Sequence, residues 1–154
     1  MTKTSTEKGK SGERELVKLL NDGFESDILG RNLDQARSGG HDLIVHEPPS
    51  QPGQEGDRET RETRIRKRMN ELAIEVKRHK TAKQHQIEKW WAQACEQALS
   101  IRKVPVLFYR PDNQPWKCMM PFFRKLGYDD PGNCITLSAD LFIKIIKDPD
   151  LTHD

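Results

Sequence analysis

A short apolar segment that carries two opposite charges constrains the fold of this chain most strongly. It spans residues 72–77 and has the sequence LAIEVK. Side chains alternate between the two faces of a β-strand, so Glu75 and Lys77 are expected to share one face. The opposite face is purely aliphatic, and its members are Leu72, Ile74 and Val76. The segment therefore predicts a core strand that holds a carboxylate and an ammonium group side by side.

Length and composition favour one domain with a large polar surface. The chain has 154 residues, enough for a single domain with a real core. Because 34% of the residues are hydrophobic and 32% are charged, much of the chain is expected to be loop or solvated surface. The net charge of +2 does not by itself indicate a nucleic-acid-binding protein, so evidence for binding must come from the positions of the basic residues.

Cysteine usage and hydropathy indicate the compartment. The three cysteines are far apart and lack Cys-x-x-Cys spacing, which fits reduced thiols and argues against a disulfide framework or a zinc site. No apolar stretch approaches the length of a membrane span, and the first ten residues are polar. We therefore expect no membrane association, no secretory signal and a cytoplasmic location.

The first helix is predicted over residues 12–22. Gly23 is expected to end it, and its apolar stripe comprises Leu16, Val17, Leu19 and Leu20. Glu13 falls on the side of this stripe and is predicted to look towards the sheet. Glu15 is expected to be an ordinary surface charge.

Five strands and two further helices are predicted. The strands are expected at residues 24–29, 41–45, 71–78, 104–109 and 116–123. The helices are expected at residues 83–101 and in a short closing segment capped by Ser138. The order predicts an α/β fold: a single domain with a central mixed β-sheet flanked by helices. The expected organisation is a flexible N-terminus, a main domain and a C-terminal extension, at residues 1–10, 11–125 and 126–154.

A charged insertion at residues 47–70 interrupts the predicted domain. Its first half is loop-like, and residues 58–68 contain six basic side chains with almost no apolar partners. This composition fits a solvated helix or a hairpin arm that adds little to the core. Because the insertion joins the strands predicted to carry Asp42 and Glu75 and holds six basic side chains, we expect an arm that contacts DNA or a second subunit. A passive solvated insertion is the alternative, since nearby glutamates offset the basic charge.

Four pieces of the sequence occur in an order shared with a known nuclease superfamily. They are KGKSGERELVKLL at residues 8–20, SGGHDLI at 38–44, IEVK at 74–77 and VPVL at 104–107. The chain resembles the PD-(D/E)xK nuclease superfamily and, more narrowly, the archaeal-type Holliday-junction resolvases and their phage relatives. The resemblance covers residues 8–110, apart from the insertion, and implies a restriction-endonuclease-like fold.

The chemistry of phosphodiester hydrolysis explains this set of residue types. A phosphodiester is anionic and repels hydroxide, so its cleavage needs a cation and an activated water. Asp42 and Glu75 offer the hard oxygen ligands that Mg²⁺ prefers, with Mn²⁺ as an alternative ion. The resemblance implies that the backbone carbonyl of Val76 also coordinates the ion. It further implies that Lys77 orients or helps deprotonate the water, and that Glu13 completes the site or holds a second water.

Each of these residues also has a simpler explanation. Glu75 and Lys77 could form an ordinary salt bridge on an exposed strand, and Asp42 could be a turn residue after two glycines. His41 is expected to be a bystander. The joint occurrence of the acidic residues with the N-terminal motif favours the catalytic interpretation.

Basic residues near the predicted site are candidates for binding the DNA backbone. Arg14 and Ser38 are candidate phosphate contacts, and Arg37 lies beside Ser38. A basic patch just after the candidate catalytic strand is formed by Arg78, Lys80 and Lys83, next to Lys77.

Together these features predict a Mg²⁺-dependent DNA endonuclease, and the resemblance to the Holliday-junction resolvases implies that it is structure-selective and hydrolyses phosphodiester bonds in branched DNA. A four-way junction has near two-fold symmetry and needs two matched nicks, so a homodimer is the expected state. One alternative is another PD-(D/E)xK nuclease, such as a nicking, restriction or phage DNA-processing enzyme. The other is a non-catalytic DNA-binding protein that keeps the nuclease fold.

Overall fold

Four helices and six strands occur in the part of the chain that the computed structural model describes, residues 5–34, 41–47, 60–122 and 133–148. The helices are α1 (Ser5–Phe24), α2 (Arg61–Asn70), α3 (Gln84–Ser100) and α4 (Ala139–Lys147). The strands are β1 (Leu29–Arg31), β2 (Leu43–Val45), β3 (Leu72–His79), β4 (Val104–Pro111), β5 (Lys117–Pro121) and β6 (Cys134–Ser138). Within these residues, no helix is long and apolar enough to cross a membrane.

The main sheet contains four strands in the order β3-β4-β5-β6. β3 and β4 are parallel, and α3 connects them, whereas the remaining neighbours are antiparallel. β1 and β2 form a separate antiparallel pair. The fold is therefore the predicted α/β domain with a mixed sheet, and it is consistent with a restriction-endonuclease-like architecture.

The larger hydrophobic core lies on one face of the sheet. Its strand members include Ile74 and Val76 of β3 and Phe108 of β4, which alternate with residues that point to the opposite face. Helices α1, α2 and α4 supply most of the remaining buried side chains, among them Leu16, Leu20, Ile65, Met69, Phe142 and Ile146. The aliphatic face predicted for the LAIEVK segment is thus confirmed as a core face.

A smaller core lies on the other face, where α3 packs. Trp90, Trp91 and Ala94 of α3 contact Leu107 and Tyr109 of β4. In the β3–β4 register, Leu107 and Tyr109 are the partners of Glu75 and Lys77. The two candidate catalytic side chains therefore belong to the face that α3 covers.

The first helix and the first strand differ from their predicted bounds. α1 begins at Ser5, so residues 5–10, expected as a flexible terminus, form its first turns. It continues through Gly23, where a Cβ atom would lie 2.5 Å from Ile143, so this glycine permits close packing with α4 instead of ending the helix. The chain leaves the helix at Glu25, whose φ of 57° is left-handed. The prediction of a strand at 24–29 was wrong because the apolar Phe24 is the last buried residue of α1.

The C-terminal part of the chain completes the sheet and the core. β6 pairs with β5 in register, so the strand predicted at 116–123 is not the last one. Phe142 of α4 is fully buried and stacks edge-on against Phe108 with centroids 5.0 Å apart. The predicted cap of this helix is confirmed, because the Ser138 side chain accepts a hydrogen bond from the Leu141 amide. Residues 134–148 are therefore an integral layer of the domain, not an extension.

The described part of the insertion is a docked helix. Thr60 caps α2, and Ile65 and Met69 are each only 1% exposed and belong to the larger core. Arg66 donates hydrogen bonds to the carbonyl oxygens of Asp27 and His46, which fastens the helix to the β1–β2 pair. The expectation that the insertion adds little to the core was wrong for this helix, because two apolar residues four apart suffice to anchor it. Residues 48–59 lie outside the described residues.

We expect Met69→Ala to lower the free energy of unfolding by about 2–5 kcal/mol, because it leaves a cavity in the larger core. Urea denaturation measures the change. Arg64→Ala, on the exposed side of the same helix, is the matched control and should stay within about 0.5 kcal/mol of the parent. Equal midpoints for the two variants would show that α2 is a peripheral arm.

Candidate active site

Asp42 is held against the edge of β3 by two hydrogen bonds. Its amide donates to the carbonyl oxygen of Ile74 at 2.8 Å, and its carboxylate Oδ2 accepts from the amide of Val76 at 2.6 Å. The side chain is 5% exposed. Because the N–H and C=O groups of one strand residue point to the same edge, the Val76 carbonyl also faces the side on which Asp42 lies. The strand predicted at residues 41–45 is shorter in the structure, where β2 begins at Leu43 and Asp42 directly precedes it.

Glu75 is a buried carboxylate with one oxygen engaged. Its Oε1 atom lies 2.7 Å from Nζ of Lys77, and the side chain is 3% exposed. Its Oε2 atom is buried and has no hydrogen-bond partner among the described residues. A buried carboxylate oxygen without a partner is costly, which indicates a place for a cation or a water.

The donor set fits Mg²⁺ better than a metal that requires a full protein cage. Asp42 and Glu75 offer carboxylate oxygens as donors, and Lys77 offsets the charge of one of the two carboxylates. Within the described residues, no group of three or more His, Cys, Asp or Glu side chains comes together as a metal cluster. Mg²⁺ keeps several waters and commonly uses one or two carboxylates, so a two-carboxylate site is sufficient for it.

Glu13 contacts an arginine instead of joining the two carboxylates. Its Oε2 atom accepts a hydrogen bond from Nε of Arg31 at 2.6 Å, and both side chains are largely buried. Arg31 is the register partner of Leu43, and the next residue, Asn32, donates its amide to the Asp42 carbonyl. The ion pair thus ties α1 to the part of the β1–β2 pair that carries Asp42.

Glu15 is a bridging residue, so its description as an ordinary surface charge was wrong. Its carboxylate accepts a hydrogen bond from the indole Nε1 of Trp116 at 3.2 Å and forms ion pairs with Arg110 and Arg78. These partners lie far away in sequence, on β3, β4 and the turn before β5. The spacing of apolar residues in α1 does not predict these partners. It shows only that Glu15 lies beside the apolar stripe, on the flank opposite Glu13.

His41 precedes Asp42 and is partly buried. Burial lowers the pKa of His41 below its ordinary value, and the nearby Lys103 ammonium lowers it further. The imidazole is therefore expected to be neutral at neutral pH. Its backbone carbonyl accepts a hydrogen bond from the Asn32 side chain at 2.9 Å, which helps fix the residues just before β2.

The candidate DNA-binding residues fall into three groups. Arg14, Lys80 and Lys83 are exposed. Arg78 points to the α1 face, where it forms ion pairs with Glu15 and Asp112, and it passes so close to Gly12 that a Cβ there would lie 2.8 Å away. It therefore connects α1 to the sheet. Arg37 and Ser38 lie outside the described residues.

Comparison with known protein families gives a match to a nuclease family. A family model described as "Phage putative PDDEXK endonuclease" matches residues 4–148. The chain belongs to this PD-(D/E)xK endonuclease family. The match continues beyond residue 110, where the resemblance to the archaeal-type resolvases ended, and includes α4. A nuclease of this family implies DNA as the substrate. No curated protein matches the chain.

We expect Glu15→Ala and Glu13→Ala to separate stability from activity. Loss of Glu15 leaves Trp116, Arg110 and Arg78 without a shared acceptor and should reduce the free energy of unfolding by about 1–3 kcal/mol. Loss of Glu13 should reduce DNA cleavage more than Glu15→Ala does, because it releases Arg31 beside the strand that carries Asp42. Thermal unfolding and plasmid nicking, the latter well below both melting temperatures, measure the two effects. A larger loss of cleavage in Glu15→Ala would contradict a role for the Glu13–Arg31 ion pair in positioning Asp42.

Proposed function

We propose that the chain is a Mg²⁺-dependent DNA endonuclease whose catalytic residues are Asp42, Glu75 and Lys77. The observation that supports this proposal most is the buried, unpartnered Oε2 atom of Glu75, beside Lys77 and on the strand edge where Asp42 is anchored. Membership of a PD-(D/E)xK endonuclease family supports the same reaction class.

Asp42 and Glu75, with the backbone carbonyl of Val76, would hold the ion. When bound, Mg²⁺ supplies positive charge against a non-bridging phosphate oxygen and lowers the pKa of a coordinated water. Asp42 is held in place for this role by the Val76 amide, because a carboxylate that accepts a short backbone hydrogen bond has little freedom to rotate.

Lys77 has two roles in this proposal. Its ammonium holds the Oε1 side of Glu75, so the Oε2 side is left for the cation. Its position beside the carboxylates lets it orient the attacking water and offset the negative charge that develops on the phosphate. We propose Glu13 as a positioning residue. It holds Arg31 of β1 and so fixes the β1–β2 pair, which carries Asp42.

The specific substrate proposed is branched DNA, with a four-way junction cut by a homodimer. The support is the resemblance of the N-terminal helix motif, the Asp42 region and the IEVK strand to the archaeal-type resolvases. A nicking, restriction or DNA-processing enzyme with the same catalytic centre is about equally supported, since the family description names an endonuclease without a DNA structure. The exposed Arg14, Lys80 and Lys83 are proposed to contact the DNA backbone in either case. A non-catalytic role is less well supported, because Asp42, Glu75 and Lys77 are all present and joined at the edge of β3.

We expect Asp42→Asn and Glu75→Gln each to reduce Mg²⁺-dependent nicking of supercoiled plasmid by roughly 100-fold or more, since even outer-sphere partners of a metal site are worth about 10–100-fold. DNA binding should persist, because removal of a negative charge also lowers repulsion of the phosphate.

A second readout does not depend on catalysis. Mg²⁺ should raise the melting temperature of the parent and not of either variant, because only a ligand that binds the folded state stabilises it. Glu96→Gln, at an exposed position of α3, is the matched control. Near-parental nicking by either site variant would overturn the assignment.

We expect the parent to cut a synthetic four-way junction faster than a linear duplex of the same sequence, and to be dimeric by light scattering. Combined Lys80→Ala and Lys83→Ala should weaken binding of both DNAs by a similar factor, because phosphate contacts carry no direct sequence information. Lys144→Ala, exposed on α4, serves as the control. Equal cleavage of both DNAs, with nicking otherwise intact, would favour the other nucleases of the superfamily.

A further inference from the structure

A cavity of about 480 Å³ opens between α3 and the outer strands of the sheet. Its volume lies within the range typical of small-ligand sites. It is lined by the apolar or aromatic Ile87, Trp91, Tyr109 and Met119 and by the polar Glu88 and Thr136. Neither the proposed metal site nor the family assignment accounts for it.

Strand register places this cavity on the same face of the sheet as the catalytic side chains. One row of register partners crosses the sheet from β3 to β6 and consists of Glu75, Leu107, Met119 and Thr136. Lys77 is likewise the partner of Tyr109. Since neighbouring strands lie about 4.8 Å apart, Tyr109 is one strand from Lys77, and Met119 lies roughly 10 Å from Glu75. This separation is about the reach of one or two nucleotides.

The chemistry of the lining suits a flat heteroaromatic ring. Trp91 and Tyr109 line the cavity with mostly buried aromatic rings, and burial raises the pKa of Tyr109, so its phenol stays protonated. The indole Nε1 of Trp91 is a buried donor without a hydrogen-bond partner among the described residues, while Trp91 itself is 2% exposed. The ring nitrogens and carbonyl groups of nucleobases can accept a hydrogen bond from this indole. Their exocyclic amino groups can donate hydrogen bonds to the Glu88 carboxylate.

Charge and ring contacts extend the same surface. Lys117 is the register partner of Tyr109 and therefore shares the face of Lys77, which places a second lysine beside the cavity residue Tyr109, on the next strand. Trp90 lies 6.4 Å from Tyr109 and 4.6 Å from His79, measured between ring centroids. A positively charged surface with aromatic side chains is the combination by which proteins hold unpaired DNA strands.

We propose that this cavity is a subsite for one unpaired nucleobase next to the cleaved phosphate, so that the substrate is DNA with an unpaired or splayed base near the cut. The proposal rests on the proposed nuclease function and specifies its substrate class. A base within an intact duplex must first be unpaired and unstacked before it can enter a cavity between a helix and a sheet, whereas an unpaired base at a branch point, a bulge or a gap enters at a smaller free-energy cost.

A photocrosslinking experiment tests the location directly. A duplex with one unpaired 5-iododeoxyuridine is bound to the full chain in EDTA and irradiated, and the crosslinked peptide is identified by mass spectrometry. Crosslinks should fall on Trp91 or Tyr109, and the same base placed in a paired position should give far less product. A main crosslink outside the cavity would overturn the proposal.

Binding measurements on variants provide the second test. Thr136→Phe adds a ring at the exposed mouth of the cavity and should reduce the preference for bulged over fully paired DNA by roughly five- to hundredfold, the range expected for loss of one stacked base. Glu88→Ala should reduce the same preference more than Glu96→Ala, since both are exposed glutamates of α3 and only Glu88 lines the cavity.

The outcomes separate this proposal from the nuclease function. Equal affinity of the parent for bulged and paired DNA would overturn the base subsite even if Mg²⁺-dependent nicking is intact. Conversion of a dimeric parent to a monomer by Thr136→Phe would also overturn it, and would identify the cavity as a subunit contact. If the parent prefers bulged DNA but shows no nicking with Mg²⁺, the proposed catalysis fails and the subsite stands. Because crosslinking uses the parent chain, the test remains decisive if Thr136→Phe does not fold.

Discussion

The contact between the Asp42 carboxylate and the Val76 amide is the interaction on which the candidate site depends. It satisfies the Val76 amide at the edge of β3, and it holds the buried Asp42 carboxylate against the strand that carries the buried Glu75 carboxylate. The amide of Asp42 simultaneously donates to the carbonyl oxygen of Ile74, so the β1–β2 pair is attached to the main sheet at the residue that we propose as a metal ligand. The same contacts therefore stabilise the β1–β2 pair and fix the position of the Asp42 carboxylate.

A second constraint is that β3 is covered on both faces. Its aliphatic residues pack against α1, α2 and α4, so Glu75 and Lys77 lie on the opposite face, which α3 covers. There the two side chains form an ion pair of 2.7 Å. In a poorly solvated environment the pair is favourable only with further partners for the remaining lone pairs. The unpartnered oxygen of Glu75 therefore links the packing of the fold to the proposed binding of a cation.

α1 connects the separate parts of the molecule. Glu13 on one flank pairs with Arg31 of β1, and Glu15 on the other flank bridges to β3, β4 and the turn before β5. Gly12 lets the helix approach Arg78. Two glutamates that are two positions apart thus have different tasks, since a helix turns through about 200° between them.

Local sequence patterns determined much of this protein. Period-two alternation predicted β3 and its faces, the spacing of apolar residues predicted α1 and α3, and Ser138 predicted the start of α4. The residue types at Asp42, Glu75 and Lys77 indicated the chemistry, because hard oxygen ligands beside an ammonium suit metal-assisted hydrolysis. Only the tertiary structure decided the partners of Glu13 and Glu15, the docking of α2, the membership of β6 in the sheet and the cavity beside Trp91. These features arise from contacts between residues far apart in sequence, and no local periodicity encodes which distant groups a folded chain brings together.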